Sequence, residues 1–233
     1  MNIKITTAAI ATACALTACG SEKRGINLYD TKQDNTITTE EAARKGFEKI
    51  ETYGSFDVFY IQGGNTSVQL KGDKSDIDQV KLKCDGRTLT ISKKRNKGFG
   101  GNNGFDVDVD VYITTPNISG ISINGSGDFK AESEIKTKNM GMSISGSGDI
   151  ELRSLQCDKC ESNIAGSGDI GIDRIETKEL TAKIAGSGDI DLSNANIDRA
   201  ELSIAGSGDI DIDGHVGSVS QHIAGSGTID INP

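Results

Sequence analysis

Ile184-Ala185-Gly186-Ser187-Gly188-Asp189-Ile190-Asp191-Leu192 is one of six copies of a single phrase. The first glycine of Gly-Ser-Gly stands at Gly125, Gly146, Gly166, Gly186, Gly206 and Gly225, in steps of 21, 20, 20, 20 and 19 residues. A near-fixed period of that length marks a repeat architecture whose units bury their apolar faces by stacking on one another. Two residues before the glycine stand Ile123, Ile144, Ile164, Ile184, Ile204 and Ile223; four after it stand Phe129, Ile150, Ile170, Ile190, Ile210 and Ile229. Six after it stand Ala131, Leu152, Ile172, Leu192, Ile212 and Ile231, with Ser, Asp, Glu, Lys or Asn between. An apolar period of two is the spacing of strands with one buried face, and it excludes helix.

Each unit therefore reads as strand, glycine bend, second strand and a return segment carrying Ile135, Leu155, Ile175 or Ala195. About 20 residues is too short for a strand-helix-strand crossover but suits one coil of a β-solenoid. The predicted fold is all-β, a parallel β-helix; six coils spaced about 4.8 Å apart make a rod about 29 Å long. Glycine suits the bend because it tolerates positive φ and close backbone approach. The bends are followed by strands, so they are not phosphate cradles. In the last copy Thr228 replaces Asp, and Gln221 enters the column held elsewhere by Ile121, Met142, Ala182 and Leu202, as expected of a terminal coil wetted on one side. Pro233 suits the end of such a stack.

The 233 residues include 29 glycines, no tryptophan and only 4% aromatics, which favours thin coils over a globule with an aromatic core. The net charge of −9 makes nucleic acid and anionic bilayer surfaces poor partners. The one basic cluster, Lys93, Lys94, Arg95 and Lys97, adjoins the glycine-rich stretch 98–104 and reads as a solvated loop. Residues 1–18 hold one lysine, no acid and an Ala/Thr/Ile-rich run, the outline of a signal peptide too short to span a bilayer. The run ends in Leu16-Thr17-Ala18-Cys19-Gly20, which resembles a bacterial lipobox and implies cleavage before Cys19 and its lipidation; Cys14 lacks the upstream leucine. Residues 19–45 read as a polar tether with one helical turn after Thr39, so the expectation is a protein anchored to a membrane rather than spanning it.

Residues 46–115 contain alternating segments, among them Phe56-Asp57-Val58-Phe59-Tyr60-Ile61, Gly86-Arg87-Thr88-Leu89-Thr90-Ile91 and Val107-Asp108-Val109-Asp110-Val111-Tyr112-Ile113. They read as first coils or a cap ahead of the repetitive solenoid, 116–233. With Pro116-Asn117-Ile118 and the Gly-Ser-Gly-Asp-Ile copies, the stretch 47–233 resembles the bacterial family called putative auto-transporter adhesin, head GIN domain. The resemblance implies a right-handed parallel β-helix and an adhesive role in the envelope of Bacteroidetes-like bacteria. It points to an outer-membrane lipoprotein, periplasmic or surface-exposed, whose partner beyond the membrane is a surface protein or glycan.

Cys157 and Cys160 form a lone CxxC; Cys160 falls in the column of Met140 and Leu180, so core filling or an envelope disulfide is expected in place of zinc or redox work. His215 and His222 both lie in the last coil, which disfavours nucleophilic catalysis. Arg153, Arg174 and Arg199 share no column, and Phe129 is the sole aromatic of the repeats, which weakens the alternative of a polysaccharide lyase. Asp128, Asp149, Asp169, Asp189 and Asp209 do share one, with Asp191, Asp211 and Asp230 two residues on. Hydrogen bonding to the bend is the favoured role; Asp149, Asp169, Asp189 and Asp209 are the candidates for the calcium-binding alternative. No catalysis and no cofactor are expected.

Overall fold

In the computed structural model, residues 36–38, 40–94 and 107–233 are described. The signal peptide, Cys19, most of the tether and the loop holding Arg95 and Lys97 lie outside them. The described residues begin with β1 (Thr36–Thr38), α1 (Glu40–Lys45), β2 (Lys49–Gly54), β3 (Asp57–Gln62), β4 (Ser67–Gly72), α2 (Lys74–Ile77), β5 (Val80–Asp85), β6 (Thr88–Lys93) and β7 (Val109–Thr115). The repeats supply β8 (Gly120–Gly125), β9 (Phe129–Lys136), β10 (Asn139–Gly146), β11 (Ile150–Gly166), β12 (Ile170–Ile172), β13 (Ile175–Gly186), β14 (Ile190–Gly206), β15 (Ile210–Gly225) and β16 (Ile229–Asn232).

The repeats wind into a β-solenoid with three faces. Residues preceding each glycine corner (120–125, 139–146, 159–166, 179–186, 199–206 and 218–225) pair in parallel, like on like, as the first face. Residues 129–131, 150–152, 170–172, 190–192, 210–212 and 229–231 form the second. The return segments form the third: Ile135, Leu155, Ile175 and Ala195 stack in register. Identical registers put identical residues in vertical columns, so Ile123, Ile144, Ile164, Ile184 and Ile204 are all buried, as are Ile150, Ile170, Ile190 and Ile210. One buried column is interrupted by Ser162, whose hydroxyl lies 3.8 Å from the Cys160 sulfur.

The N-terminal coils are stacked out of chain order. β2 lies between β6 and β8, and β3 between β7 and β9, all parallel. The first coil is thus enclosed by the next coil the chain makes on one side and by the first repeat on the other. Antiparallel β5 on β6, β4 on β7 and β1 on β4 end the stack, with α1 against β4 and β5 and α2 against β4. Ala42 on α1 and Ile77 on α2 are buried there, so folded structure begins before residue 46. Aromatic side chains fill this end: Phe47, Phe56, Tyr60 and Phe129 are buried, and the Tyr60 and Phe129 rings stack at 5.8 Å. Burial pushes the Tyr60 hydroxyl pKa up, and its oxygen lies 3.1 Å from the Thr115 hydroxyl.

Gly54-Ser55-Phe56-Asp57-Val58 makes a seventh corner in the glycine column. Phe56 takes the place of the second glycine.

Candidate functional site

The corner is built from close backbone contacts. At Gly186, φ is +147°, and a Cβ there would lie 2.0 Å from the Gly166 carbonyl oxygen; at Gly188 it would lie 2.0 Å from that of Gly168. Both positions therefore exclude every side chain. The Ser187 N–H donates to the Gly166 carbonyl at 2.9 Å, and the same bond recurs at each repeat corner.

The aspartate column closes the corner. The Asp169 N–H donates to Asp149 Oδ1 at 2.8 Å, Asp189 N–H to Asp169 Oδ1 at 2.7 Å, and Asp209 N–H to Asp189 Oδ1 at 2.7 Å. The series extends down through Asp128 to Asp57 and ends upward at Thr228, whose N–H and hydroxyl both donate to Asp209 Oδ1. Each carboxylate thus accepts the amide of the next coil, a charge-assisted bond that braces one bend against another. Among the described residues no group of three or more His, Cys, Asp or Glu has metal-holding geometry. Burial first, then Asp128, Asp169 and Glu151, raise the Asp149 pKa against the lowering effect of the Asp169 amide. Two positions on, burial and neighbouring carboxylates raise Asp191 and Asp211.

The remaining sequence candidates are dispersed. Cys157 and Cys160 are both buried; Cys160 stacks between Met140 and Leu180, and Cys157 donates to the Thr177 hydroxyl at 3.5 Å. The hydrogen bond between the two thiols holds Cys157 below the ordinary thiol range against the effect of burial, and the same bond together with burial holds Cys160 well above it. Arg199 pairs with Glu179 at 3.3 Å, while Arg153 reaches only the Glu132 carbonyl at 3.5 Å. His215 and His222 are exposed on separate faces of the last coil. A groove of about 560 Å³ along the third face presents Lys136, Lys178, Asp158 and Glu176, with Lys178 and Asp158 paired at 2.7 Å.

Two further surface features stand out. Phe59 and Tyr112 stack on the outer side of β3 and β7 with ring centroids 5.0 Å apart, beside exposed Ile61. Period-two alternation places both outward, but only the pairing of β3 with β7 brings them together. The second is the outer edge of β15, where Val219 and Ile223 lie open.

The sequence model of the family described as putative auto-transporter adhesin, head GIN domain, matches residues 46–232. The chain belongs to this family. Head GIN adhesin membership agrees with the β-solenoid, and solved structures share the fold. A protein described as a putative adhesin from Bacteroides fragilis is 23% identical, with a TM-score of 0.65 over 86% of this chain and 98% of its own. One described as a putative lipid binding protein from Parabacteroides distasonis is 24% identical, with a TM-score of 0.67 over 87% and 98%. A putative adhesin from Parabacteroides merdae is 19% identical, with a TM-score of 0.60 over 87% and 98%. At these identities the likeness is one of fold. A search of curated proteins found no match. The family places the protein at the cell surface or envelope, and no described helix is long and apolar enough to cross a membrane.

Proposed function

We propose that the protein is a non-catalytic adhesin, a binding scaffold held to the outer membrane by lipid at Cys19. The observation that carries this reading is the commitment of the repeated polar groups to the scaffold itself. Asp128, Asp149, Asp169, Asp189 and Asp209 are engaged by backbone amides, leaving a stiff solenoid whose outer side chains vary from coil to coil. Among the described residues, the arginines, histidines and cysteines that a lyase or hydrolase would need converge on no common point. Family membership supports the adhesive role, and the Leu16-Thr17-Ala18-Cys19 motif supports the anchor. A surface protein or glycan is the partner class, and neither metal nor cofactor is required.

Fractionation tests the anchor: Cys19→Ser should move the protein from the membrane pellet to the soluble fraction, while Cys14→Ser should not. Protease treatment of intact cells then distinguishes surface display from the periplasm; protection from protease would remove the adhesin reading. Turnover of a polysaccharide, abolished by substituting Arg153, Arg174 or Arg199, would replace the scaffold with an enzyme.

A further inference from the structure

Among the described residues every internal coil is covered on both sides, but the coil of β15 is not. Residues 214–225 of β15 pair with β14 on one edge, and β16 covers only residues 210–213; among the described residues nothing pairs with the outer edge of 214–225. Val219 and Ile223 continue columns buried at Ala200 and Ile204, yet they are 39% and 42% exposed. Between them Gln221 stands over the buried Leu202. Exposed edge strands are normally guarded by charge, proline or a bulge. Here the guard is missing: residues 214–229 contain no Asp, Glu, Lys or Arg. The coil beneath carries Asp198, Arg199 and Glu201 over the corresponding stretch, and the one before it Glu176, Lys178, Glu179 and Lys183.

We propose that this edge is an interaction surface whose partner is a second copy of the chain, paired antiparallel about a two-fold axis through Gln221. Three observations select that occupant. First, the end of the solenoid is a helical ramp, with β16 one level above the third face, where residues 214–216 lie open. Two ramps of the same hand, turned end to end by a two-fold axis perpendicular to the stack, have the same slope and meet flush. The raised β16 of each copy then overlies the open third face of the other. Second, an axis at Gln221 sets Val219 of one copy against Ile223 of the other, and the reverse, on the inner side of the edge. It also sets Gln221 against Gln221. An amide carries both donors and an acceptor, so it is its own complement, which a leucine in this column would not be. Third, Ser220 then opposes His222 on the outer side, and no ionised carboxylate or ammonium of either edge is brought against its like. Such an interface is isologous, with the same patch on both partners.

The rods in this pair point away from each other. With the anchor at Cys19, on which this consequence alone rests, each pair joins two membranes, and the adhesin's ligand is another copy of itself.

Cysteine cross-linking of the purified full-length chain in detergent tests the register. An antiparallel partner at the axis brings Cα atoms within disulfide range, so Gln221→Cys should form a linked dimer about ten-fold faster than Ser220→Cys. Val219→Cys and Ile223→Cys should link rapidly only when mixed. Val219→Lys combined with Ile223→Lys should sediment as a monomer whose Tm matches that of the wild type diluted until it too is monomeric, which separates loss of pairing from loss of fold. A wild-type chain that remains monomeric, or cross-links no faster at 221 than at 220, overturns the proposal, as does a dimer linked elsewhere. Clumping of cells bearing the wild type but not the double-lysine variant supports the bridging consequence. Dimers without clumping would leave the pairing standing and sink the anchored-adhesin reading instead.

Discussion

At the N-terminal end, antiparallel strands β4 and β5 and two short helices cover a stack filled by Phe47, Phe56 and Tyr60; at the C-terminal end β15 and β16 finish in open columns of aliphatic residues. The same isoleucine column that is sealed at Ile184 is wet at Ile223. Burial in this fold is therefore a property of the coil above and not of the residue. Stability accrues one interface at a time, as expected of a quasi-one-dimensional stack.

The largest effect that tests this contrast comes from one substitution made twice. Ile184→Asp puts an unpaired charge between two coils and should cost about 4 kcal/mol or more in urea unfolding. Ile223→Asp, made in the same column at the open end and measured in dilute solution, should cost less than about 1 kcal/mol. Equal losses would break the comparison.

Glycines sharpen it next. Gly186→Ala meets the Gly166 carbonyl in a positive-φ corner and should cost about 3 kcal/mol. Gly86→Ala, in the turn of the N-terminal β5–β6 hairpin, has φ +59° with nothing within 4 Å and should cost only about 1 kcal/mol.

A smaller effect follows from the aspartate column. Asp189→Ala leaves the Asp209 amide without its acceptor, at about 1–2 kcal/mol, whereas Asp189→Asn keeps an acceptor and should stay within about 0.5 kcal/mol. Millimolar calcium should then shift Tm no more than sodium at equal ionic strength, and a saturable calcium effect lost in the Asn variant would restore the metal-site alternative.

The smallest concerns pH and has opposite signs at the two ends. Asp191 and Asp211 have raised pKa values, so their charged forms weaken the folded state. That penalty is complete above the folded pKa and relieved as pH falls through it into the ordinary carboxylate range. Asp85, held low by the hydrogen bond and charge of Lys83, stabilises above its unfolded value and loses that contribution at still lower pH. Tm should therefore rise slightly on mild acidification before falling, and Asp191→Asn with Asp211→Asn should shrink the rise to the part that the raised Asp149 supplies.

The repetitive half of the molecule was legible because a period of 20 aligns residues that touch. Counting from the glycine placed Cys160 under Leu180 and Ile184 under Ile204, and both pairings hold. The seventh corner escaped the count because Phe56 stands where the others have glycine and because 71 residues separate Gly54 from Gly125. Thr88-Leu89-Thr90-Ile91 alternates like any half-buried strand, and nothing in alternation says which coil it lies on. The helical turn after Thr39 was expected, but its packing on β4 and β5 is a long-range fact that local propensity does not carry. The candidate aspartates could be assigned to one column in advance. That the amide of the next coil reaches each carboxylate follows from the stacking of the bends in three dimensions.

The out-of-order first coil gives the solenoid a mechanical direction. Drawn from its C-terminal side, the chain comes away as a zipper, each coil holding to one neighbour, in steps of about 66 Å for 20 residues. Drawn from its N-terminal side, β2 and β3 cannot leave until β6, β7, β8 and β9 let go together, because they are gripped on both edges. Single-molecule pulling should accordingly record a low-force sawtooth from one end and a single high-force rupture from the other. Under the lipid anchor proposed at Cys19, tension arriving through the mooring would meet the bolt before the zipper.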